Sequence, residues 1–99
     1  MNSQTAEINL MPGKPQSLSA TTGELEGEID LQWDSVKDAS SYVIELSKNK
    51  SERWQQVDIV SHSGHTVTHL RTNTVYHFRI AALNGKKQGP WSEAVSKKL

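Results

Sequence analysis

The sequence has 99 residues, which is enough for one domain with a single hydrophobic core. Its 11 basic and 11 acidic residues give a formal net charge of zero, so nucleic acid is not an expected partner. Because the chain contains no cysteine, disulfides, thiolate catalysis and cysteine-ligated metal sites are excluded.

Neither a membrane-spanning helix nor a signal peptide is expected from the sequence. No apolar run approaches the ~18 residues of a membrane helix, so membrane insertion is not expected. Residues 1–7 lack the basic and apolar regions of a signal peptide. Two alternatives stay open: the protein remains inside the cell, or the sequence is one domain cut from a longer chain and is extracellular or at the cell surface.

The first residues have no sustained apolar pattern. Residues 1–14 are polar on the whole, and residues 11–15 contain two prolines and a glycine. Such a composition is typical of linkers and edge strands. The sequence therefore predicts a flexible N-terminal tail or linker over residues 1–14 and one folded domain over residues 15–99.

The rest of the chain consists of short stretches in which apolar and polar residues alternate, as in half-buried strands. The seven predicted strands are residues 16–21, 28–34, 41–48, 53–60, 65–70, 75–82 and 91–98. Turn residues separate them, with a hairpin turn expected over residues 49–52 and a flexible loop over residues 83–90. Since no helical period occurs, the pattern favours an antiparallel sandwich or barrel.

Alternation also predicts the core and one irregularity. Residues 75–82 alternate strictly, and their inward face carries Tyr76, whose hydroxyl needs a partner from the turn at residues 71–73. In the fourth strand, Trp54, Val57 and Ile59 do not share one parity, which predicts a β-bulge near residues 55–56.

In order along the chain, these features resemble the fibronectin type III family. Trp33 lies inward on the second strand, Tyr42 opens the third, and residues 70–84 resemble the family's Leu-x-Pro-x-Thr-x-Tyr-x-Phe-Arg-Val-x-Ala-x-Asn, with Thr72 in place of proline. Residues 89–95 resemble the start of the family's last strand. The resemblance covers residues 15–98 and implies a seven-stranded antiparallel immunoglobulin-like β-sandwich. Strands one, two and five would form one sheet, and the other four would form the second.

Catalytic and metal chemistry find no support in the sequence. His65 and His69 would lie ~13 Å apart on an extended strand, whereas zinc needs ligands at ~2 Å. His62 and His65 bracket a turn but have no third ligand nearby, and His77 lies on a strand. There is no nucleophile elbow and no phosphate-binding glycine loop. We expect no catalytic residue, no metal and no cofactor, and a protein that is not an enzyme.

Charges are unevenly placed along the chain. Residues 24–38 contain six acids and one lysine, whereas residues 71–99 contain six bases and one acid. The fold would put Asp30 on one sheet face and Arg79 on the opposite one. One interpretation is a solvated surface with cross-strand pairs such as Glu45 with Arg79; the other is salt-sensitive orientation against a partner.

Residues for partner binding are predicted in two places. The loop over residues 84–90 offers Lys86, Lys87 and Gln88, because loops on a rigid sandwich are free to vary, and Trp54 on the irregular strand is the aromatic candidate. The integrin-binding Arg-Gly-Asp tripeptide is absent. Trp91 and Ser92 resemble half of the cytokine-receptor Trp-Ser-x-Trp-Ser element without its second half. Residues 49–51 form a glycosylation sequon that matters only in an exported eukaryotic chain.

The sequence therefore predicts a non-catalytic, monomeric module. It would serve as a spacer or protein-interaction domain, as part of a larger extracellular or cell-surface protein whose neighbouring domains or protein partner are unidentified. The alternative is a free-standing small binding protein that recognises a protein or carbohydrate partner through the 84–90 loop and Trp54.

Overall fold

Eight strands make up the regular structure of residues 11–48 and 53–99, which are the residues that the computed structural model describes. The strands are β1 (Ser19–Thr22), β2 (Ile29–Gln32), β3 (Ser41–Ser47), β4 (Gln55–Val60), β5 (Gly64–Val67), β6 (Val75–Asn84), β7 (Lys87–Trp91) and β8 (Val95–Lys98). The predicted turn at residues 49–52 and the sequon within it lie outside the described residues.

The strands form two antiparallel sheets. The first contains β1, β2 and β5, with β2 in the middle, and the second has the order β4-β3-β6-β7, with β8 also pairing β6. The division of strands between the two sheets is the one that the family resemblance implies. The expected all-β sandwich is therefore confirmed, and the longest strand, β6, runs through the centre of the larger sheet.

Eight strands are present in the described residues where seven were predicted, because residues 87–91, most of which were predicted to be loop, form β7, and only residues 95–98 of the predicted last strand form β8. β7 pairs the end of β6, with Ala81 opposite Trp91, and β8 pairs its beginning, with Phe78 opposite Val95. Between these two pairs, residues 92–94 do not pair with β6 in the ladder, and Ser92 hydrogen-bonds Ile80 instead. Its N–H donates to the carbonyl of Ile80 at 2.7 Å, and its Oγ accepts from the N–H of Ile80 at 3.0 Å.

The predicted flexible loop over residues 83–90 was also wrong. β6 continues to Asn84 and β7 begins at Lys87, so only Gly85 and Lys86 form the turn. Gly85 has a φ of +61°, which favours glycine, and glycine at the first central position is typical of a type II′ hairpin turn. A tight hairpin thus replaces the loop, and Pro90 sits at a register shift, where strands tolerate proline.

The core lies between the two sheets and follows the predicted alternation. Ile29, Leu31, Trp33, Tyr42, Ile44, Leu46, Val67, Tyr76, Phe78, Ile80 and Ala82 form one buried cluster. The Trp33 and Tyr42 rings meet edge to face with centroids 5.3 Å apart, and the Tyr42 hydroxyl accepts a hydrogen bond from the Val36 N–H. The Tyr76 hydroxyl accepts one from the Arg71 N–H, as expected from the turn before it.

The predicted bulge in the fourth strand is present one residue further along. Ile44 pairs with Asp58 and Glu45 with Gln56, so Val57 has no opposite residue. This extra residue brings both Val57 and Val60 onto the core. Ile59 is instead 49% exposed on the outer face.

The described chain begins and ends at opposite ends of β6. The carbonyl oxygen of Pro12 lies against Gly89, which is level with Ala82, whereas Leu99 exchanges backbone hydrogen bonds with Asn73 and Thr74. Eight residues separate Thr74 from Ala82, or ~26 Å along a strand. The tail over residues 1–14 stays a prediction; Pro12 is buried within it.

Candidate functional site

The described residues hold no group of three or more metal-ligating side chains. None of them belongs to a helix long and apolar enough to cross a bilayer. Of the four histidines, His65 lies with its Nε2 3.9 Å from Asp58 Oδ2, and His69 hydrogen-bonds Thr68.

The predicted binding residues lie at two separate places. Trp54 directly precedes β4, whose first residue is level with Phe78, whereas Gln88 is level with Leu83. Phe78 and Leu83 are five residues apart, or ~17 Å along the strand. Lys86, Lys87 and Gln88 are exposed on the hairpin, and Trp54 is half-buried. The structure does not bring them together, and their role in binding stays a prediction.

Trp54 instead belongs to a stack centred on Arg79. The Arg79 guanidinium carbon lies 4.3 Å from the centroid of the Trp54 ring and 4.1 Å from that of the Trp91 ring. The cation is thus held between two indoles, the aromatic ring that attracts cations best. We call the outer face of the five-stranded sheet around these three residues the ladder face.

The register of the sheet explains how the stack forms. Arg79 points away from the core because its neighbours Phe78 and Ile80 point inward. Trp91 is opposite Ala81 on β7 and therefore diagonal to Arg79, within reach of an aromatic ring. Trp54 approaches from the other side, across β3.

Glu45 pairs with the Arg79 guanidinium from the neighbouring strand β3. It is directly opposite Arg79, and its Oε1 accepts hydrogen bonds from Nε at 2.9 Å and Nη2 at 2.7 Å. The predicted cross-strand pair is therefore confirmed. The two side chains are 25% and 19% exposed, so the pair is less screened by solvent than a surface ion pair.

The two sheet faces differ in chemistry. On the ladder face, Val43 and Ala81 point outward yet are buried, so large side chains cover part of it. The outer face of the smaller sheet carries short polar side chains, among them Asp30, which accepts a hydrogen bond from Thr66 at 2.7 Å. Asp30 and Arg79 thus project from opposite faces, as expected. Aromatic and cationic groups concentrate on the ladder face.

The stack was missed from the sequence because residues 83–90 were read as a loop. Gly85 is a hairpin signal at the first central position of the two-residue turn, and the register shift that follows places Trp91 across from Ala81. Trp54 carries no such signal, since its indole reaches Arg79 across an intervening strand. Arg79 is therefore the residue of this face that sequence reasoning treated only as a salt-bridge partner.

The sequence matches the fibronectin type III domain family over residues 13–98. It is 31% identical over 96 residues to receptor-type tyrosine-protein phosphatase F of Danio rerio, and the match covers 92% of this chain and 5% of that protein. The chain thus spans a small part of that curated relative.

Solved structures give the same picture of the fold. The FN5 domain of Drosophila Lar is 29% identical, with a TM-score of 0.69 and coverage of 88% of this chain and 95% of that one. An Fn3-like protein from Clostridium thermocellum is 21% identical, with a TM-score of 0.77 and coverage of 86% and 93%. The twitchin kinase region from C. elegans is 21% identical with a TM-score of 0.77, and the match covers 90% of this chain and 17% of that one.

Proposed function

This chain belongs to the fibronectin type III family, and we propose that it is a non-catalytic, monomeric module of a larger extracellular or cell-surface protein. In that protein it holds neighbouring domains apart or binds a protein partner. Activity of this kind needs a rigid scaffold and an exposed surface rather than a reactive centre.

The observation that carries the proposal is the path of the chain through the sandwich. Pro12 and Leu99 lie at opposite ends of β6, and both are tied to the sheet. A chain that enters at one end of the sandwich and leaves at the other, ~26 Å away along the strand, would hold neighbouring domains on opposite sides of it. Modules of this geometry join head to tail without folding back.

The relatives support the same view. The match covers 5% of receptor-type tyrosine-protein phosphatase F and 17% of the twitchin kinase region, so in those proteins a domain of this size is a small part of the whole. We propose a comparable context for this chain.

A free-standing binding protein is the second candidate, because the ladder face offers a binding surface whether or not neighbouring domains are present. Trp and Arg are the residues most enriched in binding hot spots, and three of them are stacked here at fixed positions. In this alternative the chain acts alone and recognises a protein or carbohydrate through Trp54 and the exposed hairpin residues Lys86, Lys87 and Gln88.

The size and location of the native protein separate the two candidates. An antibody raised against the domain would probe fractionated source cells and their medium, with the 99-residue chain as the size standard. A much larger band in the envelope or medium supports the module. A band that comigrates with the 11.0 kDa standard in the cytosol rejects it in favour of the free-standing protein.

A further inference from the structure

We propose that the ladder face binds an acidic protein segment that also carries apolar side chains, with the Arg79 guanidinium as the main contact. This inference deepens the proposed function, on which it rests, because it names the surface and the chemistry of the partner. It assigns the contact to Arg79 and the two indoles rather than to the hairpin cations.

The hydrogen-bonding capacity of Arg79 leaves room for a ligand. A guanidinium has five N–H donors. One oxygen of Glu45 accepts hydrogen bonds from two of them, the N–H of Nε and one N–H of Nη2. Within the described residues, Nη1 makes no hydrogen bond. The stacked indoles hold the fork in one orientation, so little side-chain entropy is lost when a carboxylate binds it.

The charge of this face favours an anionic partner. At the outward positions of the five-stranded sheet in the described residues, the only acid is Glu45, and Arg79 already engages it. Lys98 lies on the same face, opposite Val75. A carboxylate approaching this face meets cationic groups and one neutralised acid.

Exposed apolar side chains on the same face favour a protein segment over a sulfated glycan. Ile59 is 49% exposed and Val75 is 40% exposed, and both point outward from the larger sheet. Ile59 is level with Ala81, six residues from Val75, so the two lie ~20 Å apart along the strand direction with the stack between them. An extended segment of about seven residues spans this distance.

The test uses the full chain and a defined probe. Nuclear magnetic resonance titration would follow the backbone, indole and Arg79 Nε–H signals as the peptide acetyl-Glu-Leu-Asp-Glu-Leu-Asp-Glu-amide is added. The amide analogue, with Gln for Glu and Asn for Asp, is the matched control, and a heparin hexasaccharide tests the glycan. We expect shifts confined to the ladder face, a Kd of about 0.1–5 mM, and weaker binding as salt is raised.

Three variants locate the contact. Arg79→Gln should weaken peptide binding about tenfold or more, and Lys87→Gln, which removes one cation from the hairpin, should change it less than about twofold. Glu45→Gln should strengthen binding several-fold, because it removes the carboxylate that competes for the guanidinium. A purely structural role for Glu45 predicts no such gain. Arg79→Lys, which keeps the charge, covers the case in which Arg79→Gln fails to fold.

Several outcomes would overturn the inference. They are the absence of peptide binding at ~5 mM, equal binding of the amide analogue, loss of binding in Lys87→Gln but not in Arg79→Gln, and heparin binding at these residues without peptide binding. None of these bears on the native size of the protein, so the inference can fail while the proposed module stands.

Discussion

The backbone N–H of Arg71 donates a hydrogen bond of 2.8 Å to the hydroxyl of Tyr76, which is 3% exposed. This bond ties the turn before β6 to the core of the sandwich. It satisfies both a partly buried N–H and the polar end of a core aromatic.

Tyr76→Phe should therefore lower the free energy of unfolding by about 1–3 kcal/mol, because the N–H of Arg71 loses its acceptor in a partly buried place. Urea denaturation measures this change. Thr74→Ala is the control, since its hydroxyl bonds the carbonyl of Thr72 at an exposed position of the same turn. Its effect should stay within about 0.5 kcal/mol. Equal effects of the two substitutions would contradict the account of the turn.

Ser92 holds the larger sheet together where β7 gives way to β8. Ser92→Ala should cost about 1–3 kcal/mol, because the buried N–H of Ile80 is left without the Oγ acceptor at 3.0 Å. Ser96→Ala on β8 removes an exposed hydroxyl and should cost less than about 0.5 kcal/mol. Hydrogen exchange of the Ile80 amide is the direct readout, and unchanged protection in Ser92→Ala would show that the hydroxyl does not fill the gap.

Gly89 lets the N-terminal segment lie against β7. A Cβ at this position would collide with the carbonyl oxygen of Pro12, which is backbone and cannot rotate aside. Gly89→Ala should therefore detach or shift residues 11–14 and cost roughly 1–3 kcal/mol, as overpacking does. In Gly13→Ala the added methyl meets no atom within 4 Å, so that variant should be near neutral. Thermal unfolding of both variants gives the comparison; a neutral Gly89→Ala would mean that this contact is dispensable.

The coupling between Glu45 and Arg79 can be measured by a double-mutant cycle with Glu45→Gln and Arg79→Gln, each of which removes the ion pair. We expect a coupling energy of about 1 kcal/mol, at the upper end of the range for exposed ion pairs, because both side chains are mostly shielded and one carboxylate oxygen accepts two guanidinium hydrogen bonds. The coupling should fall as salt is added, though less than for an exposed pair. A coupling indistinguishable from zero would leave the stack, rather than the ion pair, as the feature that orders Arg79.

Much of the fold could be predicted, because the alternation of apolar and polar residues indicates which face of a strand is buried. Residues 75–82 gave the inward set and the place of Tyr76, and the same parity put Arg79 outside, opposite Glu45. The sheet assignment came from the family resemblance. The inward-facing set, the place of Tyr76 and the sheet assignment can all be predicted from the alternation within a strand or from short sequence motifs.

The other features of the fold and of the site depend on contacts between residues that are distant in the sequence, which local patterns do not indicate. The split between β7 and β8 arises from Pro90 and from the hydroxyl of Ser92, which replaces a ladder bond. The ladder face requires Trp54 to reach across β3, and that reach follows from the bulge at Val57 and from side-chain packing. The sequence indicates each of the predicted binding residues on the hairpin and on the irregular strand separately, and their separation depends on the three-dimensional fold.

The central claim is that Arg79 is fixed between two indoles on the outer face of the larger sheet. The most direct measurement is the chemical shift of the Arg79 side-chain protons in the folded chain, because protons above indole rings move upfield. The account predicts Arg79 Hγ, Hδ and Hε signals well upfield of random-coil positions. It also predicts that Trp54→Ala and Trp91→Ala each remove part of the shift. Arg79 signals at random-coil positions in the folded protein would contradict it.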